Sequence, residues 1–445
     1  MIHSPERRSE KFWNEYGGKM RKFLALALVA VMMLALVACG NDKTPAKTTD
    51  TSDSTASSDA AASTDATEPA KTGNSDLTLG FIFLHDENST YDLNFINAAR
   101  EAQAALGLSD DQVIFKTNVP ESNECYEAAL DLVDRGCDII FADSFGHEPF
   151  ILQAARENPE VQFCHATGTT AHTEGVANFH NAFASIYEGR YLAGIAAGMK
   201  LNEMIAAGEF KAEDAKIGYV GAYTYAEVIS GYTSFFLGAR SVCPTATMEV
   251  QFTGSWYDET AEKEAATTLI NRGCKLISQH ADSMGAPTAC ETAGVPNVSY
   301  NGSTVAACPN TFIVSSRINW APYYEYVVEC VTGGKEIGAD WTGTLATGSV
   351  ELSEINEKAA AAGTADAIAA AKSDIESGKL HVFDTATFTV GGATLTSYLA
   401  DVDTDANYEK DTEVVADGYF HESEKRSAPY FDVDIDGITK LNAAY

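Results

Sequence analysis

The chain has 445 residues and a formal charge of −33, with 63 Asp and Glu against 30 Lys and Arg. This acidic excess excludes nucleic acid as a partner, because phosphate backbones demand clustered Lys and Arg, and it excludes adhesion to anionic lipid by charge alone. The length exceeds what one core usually holds and allows two lobes of ordinary size.

Residues 1–19 read as an upstream leader, because a complete export signal begins at Met20. Arg21 and Lys22 precede an apolar run over residues 23–37, which ends in small residues. That order describes a secretory signal; it is short for a membrane span, which needs roughly 20 apolar residues. Leu36-Val37-Ala38-Cys39 resembles the bacterial lipobox, in which the signal is cut just before a cysteine that then carries lipid. On this reading residues 1–39 are leader and lipoprotein signal, Cys39 is the lipidation site, and attachment to the membrane comes from the lipid. Residues 40–76 are Thr, Ser, Ala, Asp and Lys with almost no large apolar side chain. Such a stretch cannot bury enough surface to offset its ordering entropy and reads as a disordered tether.

From residue 77 short apolar strands alternate with amphipathic helices. Strands are expected at 77–84, 113–119, 138–142 and 161–165, with helices at 94–106, 122–135 and 149–158; Gly136 stops the second helix. The near-continuous apolar strands suit a parallel sheet covered on both faces. The theme repeats with helices at 186–206, 226–239, 258–272 and 286–293 and strands at 216–220, 248–252, 276–279, 295–300 and 311–315. Helices at 321–332 and 359–377 follow, then a β-like tail from residue 381 with a turn at Gly391-Gly392. The fold class is α/β, with two doubly wound, Rossmann-like lobes. Residues 77–180 plus 317–340 form lobe 1, residues 181–316 plus 341–380 form lobe 2, and 381–445 is an extension packed on the lobes.

Nine cysteines are present. Setting Cys39 aside, no two of the others make a Cys-x-x-Cys pair and several fall inside elements, which suits buried thiols. Nothing in the Cys and His spacing calls for a metal, and no cofactor is expected.

Ligands of open parallel sheets bind beyond the carboxyl ends of the strands. The segments there supply Tyr91, Asp92, Ser144, Phe145, Tyr223, Glu227, Trp256, His280, Asp282, Asn301, Asn319 and Trp320 as candidate ligand-binding residues. Aromatic planes with a few hydrogen-bonding groups suit a flat, polar-edged heterocycle. Phe145, Trp256 and Trp320 would sandwich its ring, and Asp282 would accept from ring N–H, amine or sugar hydroxyl groups. Ser144, Asn301 and Asn319 have donor and acceptor capacity. His280 is expected to orient Asp282, Glu227 to serve the start of the helix at Ala226, and His165 to be structural.

Several motifs carry a resemblance. Phe163-Cys-His-Ala-Thr-Gly168, Tyr187-Glu-Gly-Arg-Tyr-Leu-Ala-Gly194, Gly238-Ala-Arg-Ser241, Ser255-Trp-Tyr-Asp258, Gln279-His-Ala-Asp-Ser283 and Asn319-Trp-Ala-Pro-Tyr-Tyr324 are similar, in order, to the basic membrane protein family. The likeness runs from about residue 77 to 383. The family comprises lipid-anchored substrate-binding proteins of ABC importers, several of which bind purine nucleosides or bases. The resemblance implies a type I periplasmic binding protein fold with a three-crossover hinge, here near 178–181, 317–320 and 339–344. It further implies a purine base or nucleoside as ligand and an ABC permease as partner. Relatives of this subgroup often carry Trp in the loop after the first strand where this chain has Ser89, a change that would alter the ligand or move stacking to Tyr91. Other readings are a flavin-like cargo and a surface receptor that signals to a partner. An enzyme is not expected: there is no Gly-x-Ser-x-Gly elbow, and the His280/Asp282 pair has no nucleophile motif beside it.

Overall fold

The computed structural model describes residues 76–445. Cys39, the leader and signal over 1–39, and the tether over 40–76 apart from its last residue lie outside them. Among the described residues no helix is long and apolar enough to cross a membrane.

The first sheet is built from β1 (Leu79–Ile82), β2 (Val113–Lys116), β3 (Ile139–Ala142), β4 (Gln162–Ala166) and β5 (Phe179–Ala184), linked by α1 (Thr90–Leu106), α2 (Asn123–Asp134), α3 (Glu148–Glu157) and the single turn α4 (Ala171–Glu174). All residues of β1 and β3 are buried, which is why these strands read as unbroken apolar runs rather than alternating ones. Helix α1 starts earlier than its apolar pattern, because Ser89 caps it and accepts a hydrogen bond from the Asp92 amide at 3.2 Å.

The second lobe contains α5 (Ile186–Ala206), β6 (Lys216–Gly221), α6 (Ala226–Val242), β7 (Thr247–Phe252), α7 (Glu259–Asn271), β8 (Leu276–His280), α8 (Gly285–Ala293), β9 (Asn297–Tyr300) and β10 (Phe312–Ile318). Then come α9 (Ala321–Thr332), β11 (Asp340–Gly343), β12 (Val350–Leu352) and α10 (Thr364–Glu376). The strand order is β11-β5-β4-β3-β1-β2 in one sheet. In the other it is β12-β10-β9-β8-β6-β7, with the strand Ile438–Lys440 at the far edge. Neighbours are parallel throughout, except that β12 runs antiparallel to β10.

The chain passes between the sheets after Ala184, after Ile318 and between Gly343 and Val350. The boundary expected at residue 181 lies later in the chain, because Asn181 to Ala184 pair with β11. Residues 341–343, expected in lobe 2, likewise belong to lobe 1, where Trp341 to Gly343 complete the first sheet. Strands β5, β11 and β12 were not expected as strands. They are short or carry polar residues, and their pairing is long-range.

Lobe 2 is stiffened by a close helix crossing. A Cβ on Gly194 of α5 would lie 2.0 Å from the Phe235 carbonyl oxygen, and one on Gly238 of α6 would lie 2.0 Å from the Tyr191 carbonyl oxygen. The two helices therefore meet backbone against backbone, which only glycine permits here. All eight cysteines among the described residues are buried and unpaired. Burial pushes the Cys164 thiol up to about 12 and that of Cys137 to about 11.

The extension fastens itself beside the hinge. Ser427 donates its amide to Asp340 of β11 at 2.6 Å, and Thr342 donates its hydroxyl to the Ser423 carbonyl at 3.3 Å. On the other lobe the Tyr187 hydroxyl donates to the Glu422 carbonyl at 3.2 Å. Phe383 stacks on Phe431 with ring centres 4.2 Å apart.

Candidate functional site

A cleft opens where the carboxyl ends of the two sheets face each other. Lobe 1 contributes Leu84 after β1, Tyr91 from the first turn of α1, Ser144 and Phe145 after β3, and Thr167 after β4. Lobe 2 contributes Glu227 from the first turn of α6, Trp256 after β7, His280 and Asp282 at and after the end of β8, and Tyr300 at the end of β9. The position obeys the rule for open parallel sheets.

The lobes touch around this cleft. Thr90 donates both its amide, at 2.9 Å, and its hydroxyl, at 3.1 Å, to the Asp282 carbonyl across the gap. The Phe145 ring centre lies 5.6 Å from that of Tyr225, and that of His85 lies 5.3 Å from Tyr257.

Seven of the twelve expected residues line the cleft: Tyr91, Ser144, Phe145, Glu227, Trp256, His280 and Asp282. Phe145, 41% exposed, offers a free ring face at the rim. Trp256 forms the opposite aromatic wall, held edge-on by Tyr223 at 5.0 Å. Tyr223 itself stacks on Tyr225, so it supports the wall rather than the cleft. The turn carrying Ser144 and Phe145 is pinned by Glu121, whose carboxylate accepts from the Ser144 hydroxyl at 2.6 Å and the Gly146 amide at 2.7 Å. His165 is structural and joins the Ser144 carbonyl at 2.7 Å.

The remaining expectations are corrected. Trp320 is 1% exposed and stacks on Phe95 inside lobe 1, ring centres 4.5 Å apart, so it cannot sandwich a ligand. It stands at the N-cap of α9 and turns inward. Asn319 accepts from the Ala321 amide at 3.0 Å and thereby caps the same helix. Asp92 is fully buried, accepting from the His85 amide at 2.7 Å and the Ser89 hydroxyl at 2.6 Å. Asn301, in a left-handed conformation with φ +61°, is buried beside Tyr300 but off the cleft surface. Ser89 caps α1 instead of facing ligand, and Tyr91 packs edge-on against Phe95 with ring centres 4.7 Å apart.

His280 does not orient Asp282. It reaches Glu227 through Nε2 at 3.4 Å and Tyr219 through Nδ1 at 3.5 Å. Glu227 does stand in the first turn of α6, but its side chain turns to His280 and the cleft. Leu84, Thr167 and Tyr300 were missed. Thr167 lay within a quoted motif, next to Gly168, and its φ of +64° swings it to the cleft; β-branched residues rarely adopt this region.

The electrostatics are acidic. Burial, reinforced by the charges of Asp92, Glu262 and Glu227, raises the Asp282 carboxyl well above its ordinary range. Burial pushes the His280 imidazole down, against the opposing pull of Glu227, so it is neutral. Beneath Ser144, burial and the neighbouring Asp92 raise the Asp143 carboxyl strongly. Burial also works to raise Asp92, but hydrogen bonds from His85, Ser89 and Asp143 outweigh it and lower that carboxyl.

Two doubly wound lobes, three crossings and a cleft with aromatic walls define a solute-binding protein with the type I periplasmic binding protein fold. A solute-binding protein of Aeropyrum pernix K1 shares that fold, with a TM-score of 0.58 at 18% identity over 69% of this chain and 93% of that one. A purine-binding protein of Brucella abortus is 32% identical over 252 residues, 56% of this chain and 67% of that protein. A putative ABC transporter glucose-binding protein of Haloferax volcanii is 34% identical over 218 residues, 49% of this chain and 52% of that protein. The chain thus spans about two thirds and about half of these two relatives. The family model described as ABC transporter substrate-binding protein, PnrA-like, matches residues 91–378, and the chain belongs to that family. Such proteins take a small molecule outside the cytoplasm and hand it to a membrane permease.

Proposed function

We propose that the cargo is a purine base or nucleoside, captured outside the cytoplasm by a protein tethered through lipid on Cys39. The observation that carries this reading is the pairing of flat aromatic faces, Phe145 and Trp256, with two acidic side chains, Glu227 and Asp282, in one narrow cleft. A flat ring gains stacking from the first pair and edge hydrogen bonds from the second. The Brucella relative named as purine-binding supports it. Contacts such as those from Thr90 to Asp282 exist only when the lobes are shut, so ligand that bridges the lobes shifts the population toward closure. The shut form is then presented to the permease.

A thermal-shift panel of purine bases, nucleosides, flavin and sugars tests this, since a ligand stabilises in proportion to its concentration over its dissociation constant. Purines are expected to raise the melting temperature. A shift with glucose, the sugar in the Haloferax relative's name, and none with any purine would sink the proposal. For the anchor, the wild-type chain expressed in bacteria should enter the detergent phase on partitioning and a Cys39→Ser variant the aqueous phase; no difference would refute it.

A further inference from the structure

We propose, resting on the purine reading above, that the cleft selects amino-substituted purines, rings presenting three or more N–H donors, because its side chains are set as acceptors. Their hydroxyl hydrogens are already committed. Tyr91 donates to the Asp143 carbonyl at 2.8 Å, Ser144 to Glu121 at 2.6 Å, and Thr167 to the Ala166 carbonyl at 2.5 Å. Each leaves only lone pairs toward the ligand. Asp282 adds a carboxyl group whose side chain has no hydrogen-bond partner among the described residues; with its titration raised it keeps one hydrogen and still offers lone pairs. Against the acceptors stand that hydrogen and two uncommitted side-chain donors, the Tyr300 hydroxyl and the Trp256 indole.

The acceptor role of Glu227 is matched by a buried chain of hydrogen bonds behind it. Arg190 is fully buried under Tyr219, Phe235 and Tyr300 and makes no ion pair among the described residues. Its guanidinium donates to the Tyr219 hydroxyl at 2.9 Å and the Ser278 hydroxyl at 2.8 Å. A carboxylate can only accept, so neutral His280 carries its hydrogen on Nε2, pointed at Glu227. Nδ1 is then bare and accepts from the Tyr219 hydroxyl, whose oxygen in turn accepts from Arg190. Every bond in the chain runs one way, from the buried cation to the cleft carboxylate. Gly231 makes room for it, since a Cβ there would meet Nδ1 of His280 at 2.6 Å. A ligand without donors would leave these acceptors desolvated and unpaired, a loss larger than the bond itself repays.

Calorimetric titration of the full chain with adenine, guanine, hypoxanthine and unsubstituted purine tests the inference. Adenine and guanine should bind about tenfold or more tighter than unsubstituted purine. Glu227→Gln, which places a donor among the acceptors, should narrow that gap. Tyr219→Phe, which keeps the ring but releases His280, should weaken the amino-bearing bases and leave unsubstituted purine unchanged. If Tyr219→Phe does not fold by circular dichroism, Glu227→Gln carries the test. Equal affinity for adenine and unsubstituted purine, or a preference for hypoxanthine, overturns this inference alone. A panel in which sugar or flavin binds and no purine does overturns the purine reading and this inference together.

Discussion

Trp256→Ala separates the cleft from the rest of the fold. The indole is half-buried and rests edge-on against Tyr223, so truncation removes a ligand wall with modest loss to the core. Aromatic stacking on a base is worth about 1–3 kcal/mol, and the middle of that range weakens binding roughly 30-fold. At ligand 100-fold above the wild-type dissociation constant, binding stabilises the wild type by about 2.7 kcal/mol. The variant, at about threefold over its own constant, would gain only about 0.9 kcal/mol. The ligand-induced rise in melting temperature should therefore fall to about a third, with the unliganded melt nearly unmoved. A variant that keeps the full rise would show that no ring stacks on Trp256, and the cleft would be wrongly assigned.

Three further outcomes follow from the packing and the charges. Because the folded Asp282 carboxyl titrates higher than its unfolded counterpart, the folded state holds the extra proton and stability falls as pH rises from the ordinary value of 3.8 through the raised one. Asp282→Asn should thus melt higher than wild type at neutral pH, the advantage fading in acid, while binding ligand less well; a variant less stable at neutral pH would contradict the sign. Gly194→Ala forces a Cβ to within 2.0 Å of the Phe235 carbonyl oxygen and should cost about 3 kcal/mol or more in urea unfolding; an unchanged midpoint would refute the backbone contact. Thr90→Val removes one of the two bonds to the Asp282 carbonyl, worth about 1 kcal/mol of closure, and should weaken binding roughly fivefold. Unaltered affinity would mean that this contact is not part of the closed state's advantage.

Much of the fold was legible because burial on both faces leaves strands such as Leu79–Ile82 and Ile139–Ala142 without a polar residue. Phe179–Ala184 escaped notice because His180 and Asn181 interrupt the apolar run. Those two are buried and partnered, His180 with Gln162 and Gly338 and Asn181 with Ala171 and Glu148, and such partners are invisible along a single stretch of chain. In the site, reading outward from strand ends found Tyr91, Phe145, Trp256 and Asp282. It failed at Asn319 and Trp320, because α9 begins at once after them and turns one into a cap and the other into core. The partnership of His280 with Glu227 joins residues 53 apart in sequence, and only the packing of α6 against β8 reveals it.

The eight buried thiols impose a race on the chain. Before folding all of them are bare, and eight cysteines can pair in roughly a hundred ways. Mixed α/β chains fold faster than most all-β ones, whereas disulfides form over seconds to hours. In a protein that works outside the cytoplasm, burial on folding withdraws these sulfurs from pairing. A substitution that slowed folding without weakening the finished structure would still lower the yield of active protein, through covalent trapping that no equilibrium measurement on the survivors would register.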